Sequence, residues 1–436
     1  MEITENVSKL VKPSTPTPST LRNYNVSLFD HVNMNVPLIL YYSASHKEQN
    51  GIQTNMFKDL ELSLSQTLTQ FYPLAGRYKL NALFIDCNDE GALYIQAKAR
   101  FQLSEFLDLK KDLKHDMLQD FLPYDIHKIG EMEDPLLSVK VTTFEDGGVA
   151  IGMCISHHFA DMTTICTFID NWATRSRLVD NKLELKLELK KYSPVVSSCA
   201  HLFPKADALD TKNLGATTVN NNYILRVFSF KGSAVEKLRQ QVMSDENSII
   251  RHRPSKVQLT MALLWKAFVD TDRANGQLNA SLLNLPVNLR NIVAPKYFCG
   301  NFFMAANTRI EASETINLQG FVSRLNESIN KTKVKFANVL SHPEINCDVL
   351  LEPFLEAINS DAKVYAFTSW CKFSFYSADF GWGKPVWRSI ANVKVPNAVV
   401  MMDDKEGDGM EAWVHLDEKH MCELEKDPNI QAYMDA

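Results

Sequence analysis

Apolar runs of about seven residues, Val36–Tyr42 and Val149–Ile155 among them, set the first limit on how this chain can fold. They are far short of the ~20 residues needed to cross a bilayer, and they read as buried strands. Phe57, Leu60, Leu64, Leu68 and Phe71 recur at steps of three and four, the stripe of a buried helix. Met162, Ile165, Ile169 and Trp172 repeat that spacing after the second apolar run. Strands alternating with helices predict an α/β protein. At 436 residues the chain is too long for one ordinary core, so two or three compact units are expected.

Turn signals divide the first half into further strands. Leu83–Cys87, Leu93–Ala97, Leu137–Phe144 and Val149–Ile155 are separated by sequences such as Asn88-Asp89-Glu90-Gly91 and Glu145-Asp146-Gly147-Gly148. Ser14-Thr15-Pro16-Thr17-Pro18 predicts an extended opening segment, because proline pushes the preceding residue out of the helical region. Residues 182–191 alternate with period two, and 192–222 are irregular and hold the best linker candidate. Beyond it come a strand at Tyr223–Phe230 and two predicted capping boxes, Ser233 with Glu236 and Ser255 with Gln258. Two α/β units of similar size, joined near 190–222, are therefore expected.

Charge narrows the function. Lys+Arg number 46 against 52 Asp+Glu, a net charge of −6, and phosphate backbones call for a basic face. Nucleic acid and membrane are not expected partners. The start of the chain lacks the apolar stretch of a signal peptide, and the eight cysteines form no C-x-x-C pair. Reduced thiols in a cytoplasmic protein are the expectation.

Three local patterns can carry chemistry. Ser156-His157-His158-Phe159-Ala160-Asp161 lies between a strand and a helix, where a side chain can be held rigidly and still reach a cleft. A histidine there titrates near neutrality and can accept a hydroxyl proton. Asp161, four residues on, can orient the ring or brace the junction. The same pattern suits two packed histidines, or half of an ion site for which no third ligand is signalled; no metal is expected. His158 must point elsewhere than its neighbour and reads as packing. Asp379-Phe380-Gly381-Trp382-Gly383-Lys384-Pro385 predicts a tight turn clamped by aromatics. Arg251-His252-Arg253-Pro254-Ser255-Lys256 precedes a capped helix, a pattern that suits an anion as well as a solvated surface.

Together these motifs resemble the BAHD acyltransferases, plant enzymes that move acyl groups from coenzyme A thioesters to alcohols or amines. His157 to Asp161 matches H-x-x-x-D, and Asp379 to Gly383 matches D-F-G-W-G, in the family's order and separation. Tyr72-Pro73-Leu74-Ala75-Gly76-Arg77, Val287-Asn288-Leu289-Arg290, Gly300-Asn301 and Thr368-Ser369-Trp370-Cys371 also match, so the resemblance runs from about residue 10 to about 415. Asp86-Cys87-Asn88-Asp89 and Ser369-Trp370-Cys371 are of the alkaloid acetyltransferase type, a branch that also holds acyl-sugar and terpenoid acyltransferases. His158, Glu145-Asp146-Gly147-Gly148 and Met162 depart from residues common among relatives.

The resemblance implies two similar domains of the chloramphenicol-acetyltransferase type, with a crossover loop and a channel between them. The first domain would take residues 1–190, completed by a returning segment at about 375–400. The loop would take 191–222 and the second domain 223–436. Acyl-CoA, acetyl-CoA preferred, is the implied co-substrate, with no bound cofactor and a monomeric enzyme. His157 would be the general base in a direct transfer, with Thr368 and Trp370 as oxyanion donors. Asp161 would pair with Arg290 as a structural element, and Gly381 and Gly383 would shape their turn. Asp379 stands as a catalytic candidate and as the brace of that turn. Coenzyme A would use Arg251, Arg253, Ser255 and Lys256. The apolar segments near Leu28–Asn35, Phe302–Ala305 and Phe373–Ser377 favour an alkaloid or terpenoid alcohol as acceptor. An acyl sugar with a short or branched acyl-CoA is the alternative, and a silent metabolite-binding relative the remote one. Condensation domains and dihydrolipoyl acyltransferases share the histidine motif but need a carrier domain and lack the D-F-G-W-G turn.

Overall fold

The apolar runs become the central strands of a mixed sheet in the computed structural model, which describes residues 2–30, 32, 34–44, 53–79, 82–109, 115–125, 134–179, 196, 198, 200, 203, 222–244, 250–277, 279–293, 298–340, 347–393 and 395–434. The chain divides into two units. One comprises Met1–Ala216, Ala294–Asn301 and Phe373–Val393; the other comprises Thr217–Val293, Phe302–Lys372 and Lys394–Ala436.

The elements begin with β1 (Ile3–Val11), β2 (Asn23–Asn25), β3 (Asn35–Tyr42), α1 (Gln53–Gln70), β4 (Arg77–Lys79), β5 (Phe84–Asp86) and β6 (Ala92–Ala99). Next come α2 (Leu103–Asp108), β7 (Leu137–Thr143), β8 (Val149–Ser156), α3 (Met162–Arg177), β9 (Tyr223–Phe230), α4 (Gly232–Met243) and α5 (Lys256–Ala274). They continue with β10 (Ser281–Asn288), α6 (Arg290–Val293), β11 (Phe303–Ile310), α7 (Leu318–Leu340), α8 (Cys347–Ile358) and β12 (Lys363–Ser369). The last are β13 (Trp387–Ser389), β14 (Ala398–Asp403), β15 (Met410–Asp417), α9 (Glu418–Glu425) and α10 (Pro428–Gln431).

In the first unit the sheet order is β1-β6-β7-β8-β3-β13, with β6 and β7 parallel and the other neighbours antiparallel. Every residue of β3, β7 and β8 is buried. Strands covered on both faces read as continuous apolar runs rather than alternation. Helices α1 and α3 pack together, and Trp172 Nε1 donates to Leu60 O at 3.1 Å. Tyr41 stacks on Trp387 at 4.9 Å and meets Phe121 edge-on at 5.6 Å. In mid-β8 only glycine fits at 152, because a Cβ there would lie 1.9 Å from Phe121 O. β2, β5 and β4 form a smaller sheet.

In the second unit the order is β11-β10-β12-β14-β15-β9, and β12 runs parallel to both neighbours. Its core gathers Leu259, Trp265, Phe268, Phe367, Val399 and Val414 around α5 and the sheet. Each such side chain contributes about 1.5–3 kcal/mol on burial.

One strand was not foreseen, and one expectation needs correction. Ile3–Val11 carries no apolar signal, yet it is a strand: its residues from Thr4 to Leu10 are exposed at the sheet edge, held by pairing with β6. The predicted box at Ser233 and Glu236 does not form. Helix α4 starts two residues earlier, with Lys231 at the cap and no side-chain cap bond, and Glu236 pairs with Arg239 and Arg253 instead. The box at Ser255 and Gln258 does form. The period-two segment 182–191 lies outside the described residues, as does the linker apart from 196, 198, 200, 203 and 222. Of these, Phe203 is fully buried and meets Phe29 edge-on at 5.0 Å. No helix among the described residues is long and apolar enough to cross a membrane.

Candidate active site

β8 ends at Ser156, whose carbonyl accepts the N–H groups of Phe159 and Ala160, both at 3.3 Å. That tight turn places His157 at the end of a fully buried strand and just before α3. The His157 N–H donates to Met34 O at 2.9 Å. Its carbonyl accepts from Asn301 Nδ2 at 2.6 Å. The backbone of His157 is thus held on both sides, and the residue as a whole is half-buried. Burial lowers the His157 pKa below the usual 6.5, and the nearby Asp161 charge opposes that shift without cancelling it. The ring is therefore neutral at pH 7 and able to accept a proton.

Asp161 is the N-cap of α3. Its Oδ1 accepts the Thr164 N–H at 3.0 Å and lies 3.1 Å from the Thr164 hydroxyl. A carboxylate at a helix start satisfies an otherwise orphan donor and complements the helix dipole. The four-residue spacing from His157 thus reflects a turn and a cap rather than one face of a continuous helix. Thr164 Oγ1 also accepts the Gly300 N–H at 3.0 Å, tying α3 to the strand of chain that carries Asn301.

His158 points away from its neighbour. Its Nδ1 lies 2.9 Å from Asp30 O, and its ring stacks on Tyr78 at 3.9 Å with a 10° tilt. The Tyr72–Arg77 motif leads directly into Tyr78 and is anchored by the buried Arg77, whose Nη1 donates to Gly76 O and Gly91 O at 2.8 and 2.9 Å.

Asp379 closes the D-F-G-W-G turn. Its Oδ1 accepts from the N–H groups of Gly381 and Gly383 at 2.8 and 3.0 Å. Gly381 and Gly383 have φ of +110° and +107°, a region that favours glycine. Phe380 is buried edge-on to Trp172 and Tyr42 at 4.9 and 5.9 Å, and its carbonyl accepts from Ser176 Oγ. The turn is thereby fastened to the far end of the helix that Asp161 starts.

The remaining expected residues belong to the second unit. On β12, Tyr365 and Phe367 point into the core while Thr368 is only partly buried. The Trp370 N–H donates to Met401 O at 2.7 Å, continuing the strand. Arg290 is buried, with its guanidinium 4.8 Å from the Phe302 ring centre. Lys256 pairs with Asp403 at 2.7 Å and donates to Gly407 O and Gly409 O at 2.7 and 3.0 Å, so it holds the β14–β15 turn. Ser255 caps α5, Arg253 reaches Glu236 at 3.2 Å, and Arg251 is exposed. Among the described residues, no group of three or more His, Cys, Asp or Glu is placed to hold a metal.

Asp30 is the site residue that sequence reasoning missed. Its only signal is Ser27 three residues earlier, a spacing common to many turns.

A family model described as the Transferase family matches residues 1–431. Stemmadenine O-acetyltransferase of Catharanthus roseus is 32% identical over 429 residues, 96% of this chain and 95% of that protein. Vinorine synthase of Rauvolfia serpentina is 33% identical over 432 residues, covering 96% of each. The crystal structure of vinorine synthase matches with a TM-score of 0.82 at 28% identity, over 100% of this chain and 99% of that one.

Proposed function

The chain belongs to the Transferase family of BAHD acyltransferases, and from that premise we propose that it transfers an acyl group, acetyl by preference, from coenzyme A to a hydroxyl of an alkaloid or terpenoid alcohol. It is an acyltransferase; the donor, the acceptor and the residue roles are our reading. The observation that carries the reading is His157, a neutral imidazole pinned through its backbone at the end of a buried strand.

An alcohol is a poor nucleophile near neutral pH. His157 takes its proton as the oxygen attacks the thioester carbonyl. The carbonyl π pair moves onto oxygen, giving a tetrahedral oxyanion for which Thr368 and Trp370 are the proposed donors. The intermediate collapses, the C–S bond breaks, and the imidazolium returns the proton to the departing thiolate. Cys87 and Cys371 suit direct transfer as well: burial pushes Cys87 up to about 12 and Cys371 up to about 11, where little thiolate of either exists to form an acyl-enzyme. Arg251 and Arg253 are the assigned contacts for the coenzyme A phosphates, beside the capped start of α5. Lys256 and Ser255 support that corner through the bonds they already make.

The test offers the purified protein isotopically labelled acetyl-CoA with a panel of alkaloid, terpenoid and partly acylated sugar alcohols. Label in an alkaloid or terpenoid ester supports the reading. Label only in a sugar, or turnover only with longer or branched acyl-CoA, refutes the proposed substrates.

A further inference from the structure

In the second unit Asp272 is a carboxylate only 7% exposed, in the last turn of α5, and it has no part in the transfer steps above. Its Oδ2 accepts the Tyr365 hydroxyl at 2.6 Å, and its Oδ1 accepts from Lys363 Nζ at 2.6 Å. Both partners lie at the start of β12. His420, in the first turn of α9, faces the same corner, and its two ring nitrogens meet different groups. Nδ1 lies 2.6 Å from Asp417 Oδ2, while Oδ1 of that carboxylate accepts the His420 N–H at 3.1 Å as the cap of α9. Nε2 lies 3.3 Å from Asp272 Oδ1 and 3.4 Å from Lys363 Nζ. Burial works against the Asp417 charge, yet the His420 N–H and ring hold its carboxyl below the usual range. A carboxylate only accepts, so the hydrogen between Asp417 and the ring sits on Nδ1. Two more titratable groups border the corner: Tyr223 of β9, opposite Asp417 in the sheet, and Glu423, which takes the Asn275 amide at 2.6 Å. Glu418 and Lys419 on α9 are exposed.

We propose that Lys363 and Asp272 make His420 a clamp that holds in either protonation state of its ring. Neutral, with its hydrogen on Nδ1, the ring donates to Asp417 and accepts from the Lys363 ammonium at Nε2. Charged, it has a hydrogen on each nitrogen and pairs with Asp417 and Asp272. The proton enters or leaves at Nε2, and no side chain has to move, because an anion and a cation stand at 3.3 and 3.4 Å from that one atom. The clamp fastens the end of α5, the start of β12 and the start of α9 to one another. Without Lys363 the two states are no longer matched. The charged ring keeps both carboxylates, whereas the neutral ring loses its donor at Nε2. A proton held more tightly in the folded protein stabilises it at low pH, and that contribution is lost as pH rises. Removing Lys363 therefore turns a pH-tolerant corner into one that weakens as pH rises through the ordinary histidine range. The inference does not depend on the reaction.

The test is a set of thermal melts of the full chain at pH 5.5 and pH 8.5. Lys363→Met keeps an apolar stem of similar length and removes the ammonium. It should lower Tm at both pH values, because Asp272 loses a partner, and by about 2–4 °C more at pH 8.5 than at pH 5.5. In a His420→Phe background the same substitution should cost equal amounts at the two pH values, since no ring is left to titrate. An equal cost in the native background, or a pH-dependent cost that survives His420→Phe, overturns the proposal. A second measurement needs no Lys363 variant and serves if Lys363→Met does not fold: ¹⁵N NMR of histidine-labelled native protein. The signal that vanishes in His420→Gln, among those of the 11 histidines, should show a hydrogen on Nδ1 and none on Nε2 at pH 8.5. The opposite tautomer overturns the proposal.

Discussion

Replacing Asp379 separates a catalytic carboxylate from one that only holds a turn. Asp379 Oδ1 accepts two backbone N–H groups, from Gly381 and Gly383, at 2.8 and 3.0 Å. Hydrogen bonds to a charged acceptor are worth about 1.5–3 kcal/mol each, but both glycines are exposed and water can replace the lost partner. Asp379→Ala should therefore cost about 1–3 kcal/mol, lowering Tm by roughly 3–8 °C. Asp379→Asn keeps an oxygen acceptor for both N–H groups and should cost about 1 kcal/mol or less. If the carboxylate only braces the turn, Asp379→Asn keeps the rate within roughly fivefold of the native enzyme. If it moved protons, the loss would be roughly 10²–10⁴-fold. The assay is initial-rate acyl transfer with thermal melts on the same preparations. An Asp379→Asn enzyme that melts normally but loses a hundredfold in kcat would refute the reasoning.

Three further outcomes are expected. Because burial holds the His157 pKa below 6.5, the base form survives as pH falls through neutrality; the acid limb of kcat/KM should have its midpoint below 6.5, and a midpoint at or above 7 contradicts this. Gly152→Ala would drive a Cβ to within 1.9 Å of Phe121 O in the middle of β8, costing about 3 kcal/mol or more and most of the soluble yield; a native-like melt would contradict the packing described. Replacing Arg251 and Arg253 together by Ala should raise KM for acyl-CoA roughly tenfold at low salt and less at high salt, with kcat nearly unchanged. A salt-independent KM would remove them from the coenzyme site.

Much of the architecture was legible because burial on both faces of β3, β7 and β8 leaves unbroken apolar runs. The stripe from Phe57 to Phe71 marked α1 for the same reason: one face is in the core. β1 was hidden because its partner is backbone, and its exposed side chains carry no pattern. The Ser233–Glu236 pattern misled because Glu236 found two arginines and left the cap unused. At the site, His157 and the D-F-G-W-G turn announced themselves through residue types that few other roles require. Asp30 did not, since it meets Asn301, which holds the His157 carbonyl, across 271 residues of chain, a contact no local pattern encodes.

The central claim is that His157 is the base, and its most direct test is the rate of labelled acyl transfer by His157→Ala beside the native enzyme. Both should show the same melting temperature. The account predicts a loss of roughly 10²-fold or more. A well-folded His157→Ala enzyme that retains more than about a tenth of the native rate contradicts it.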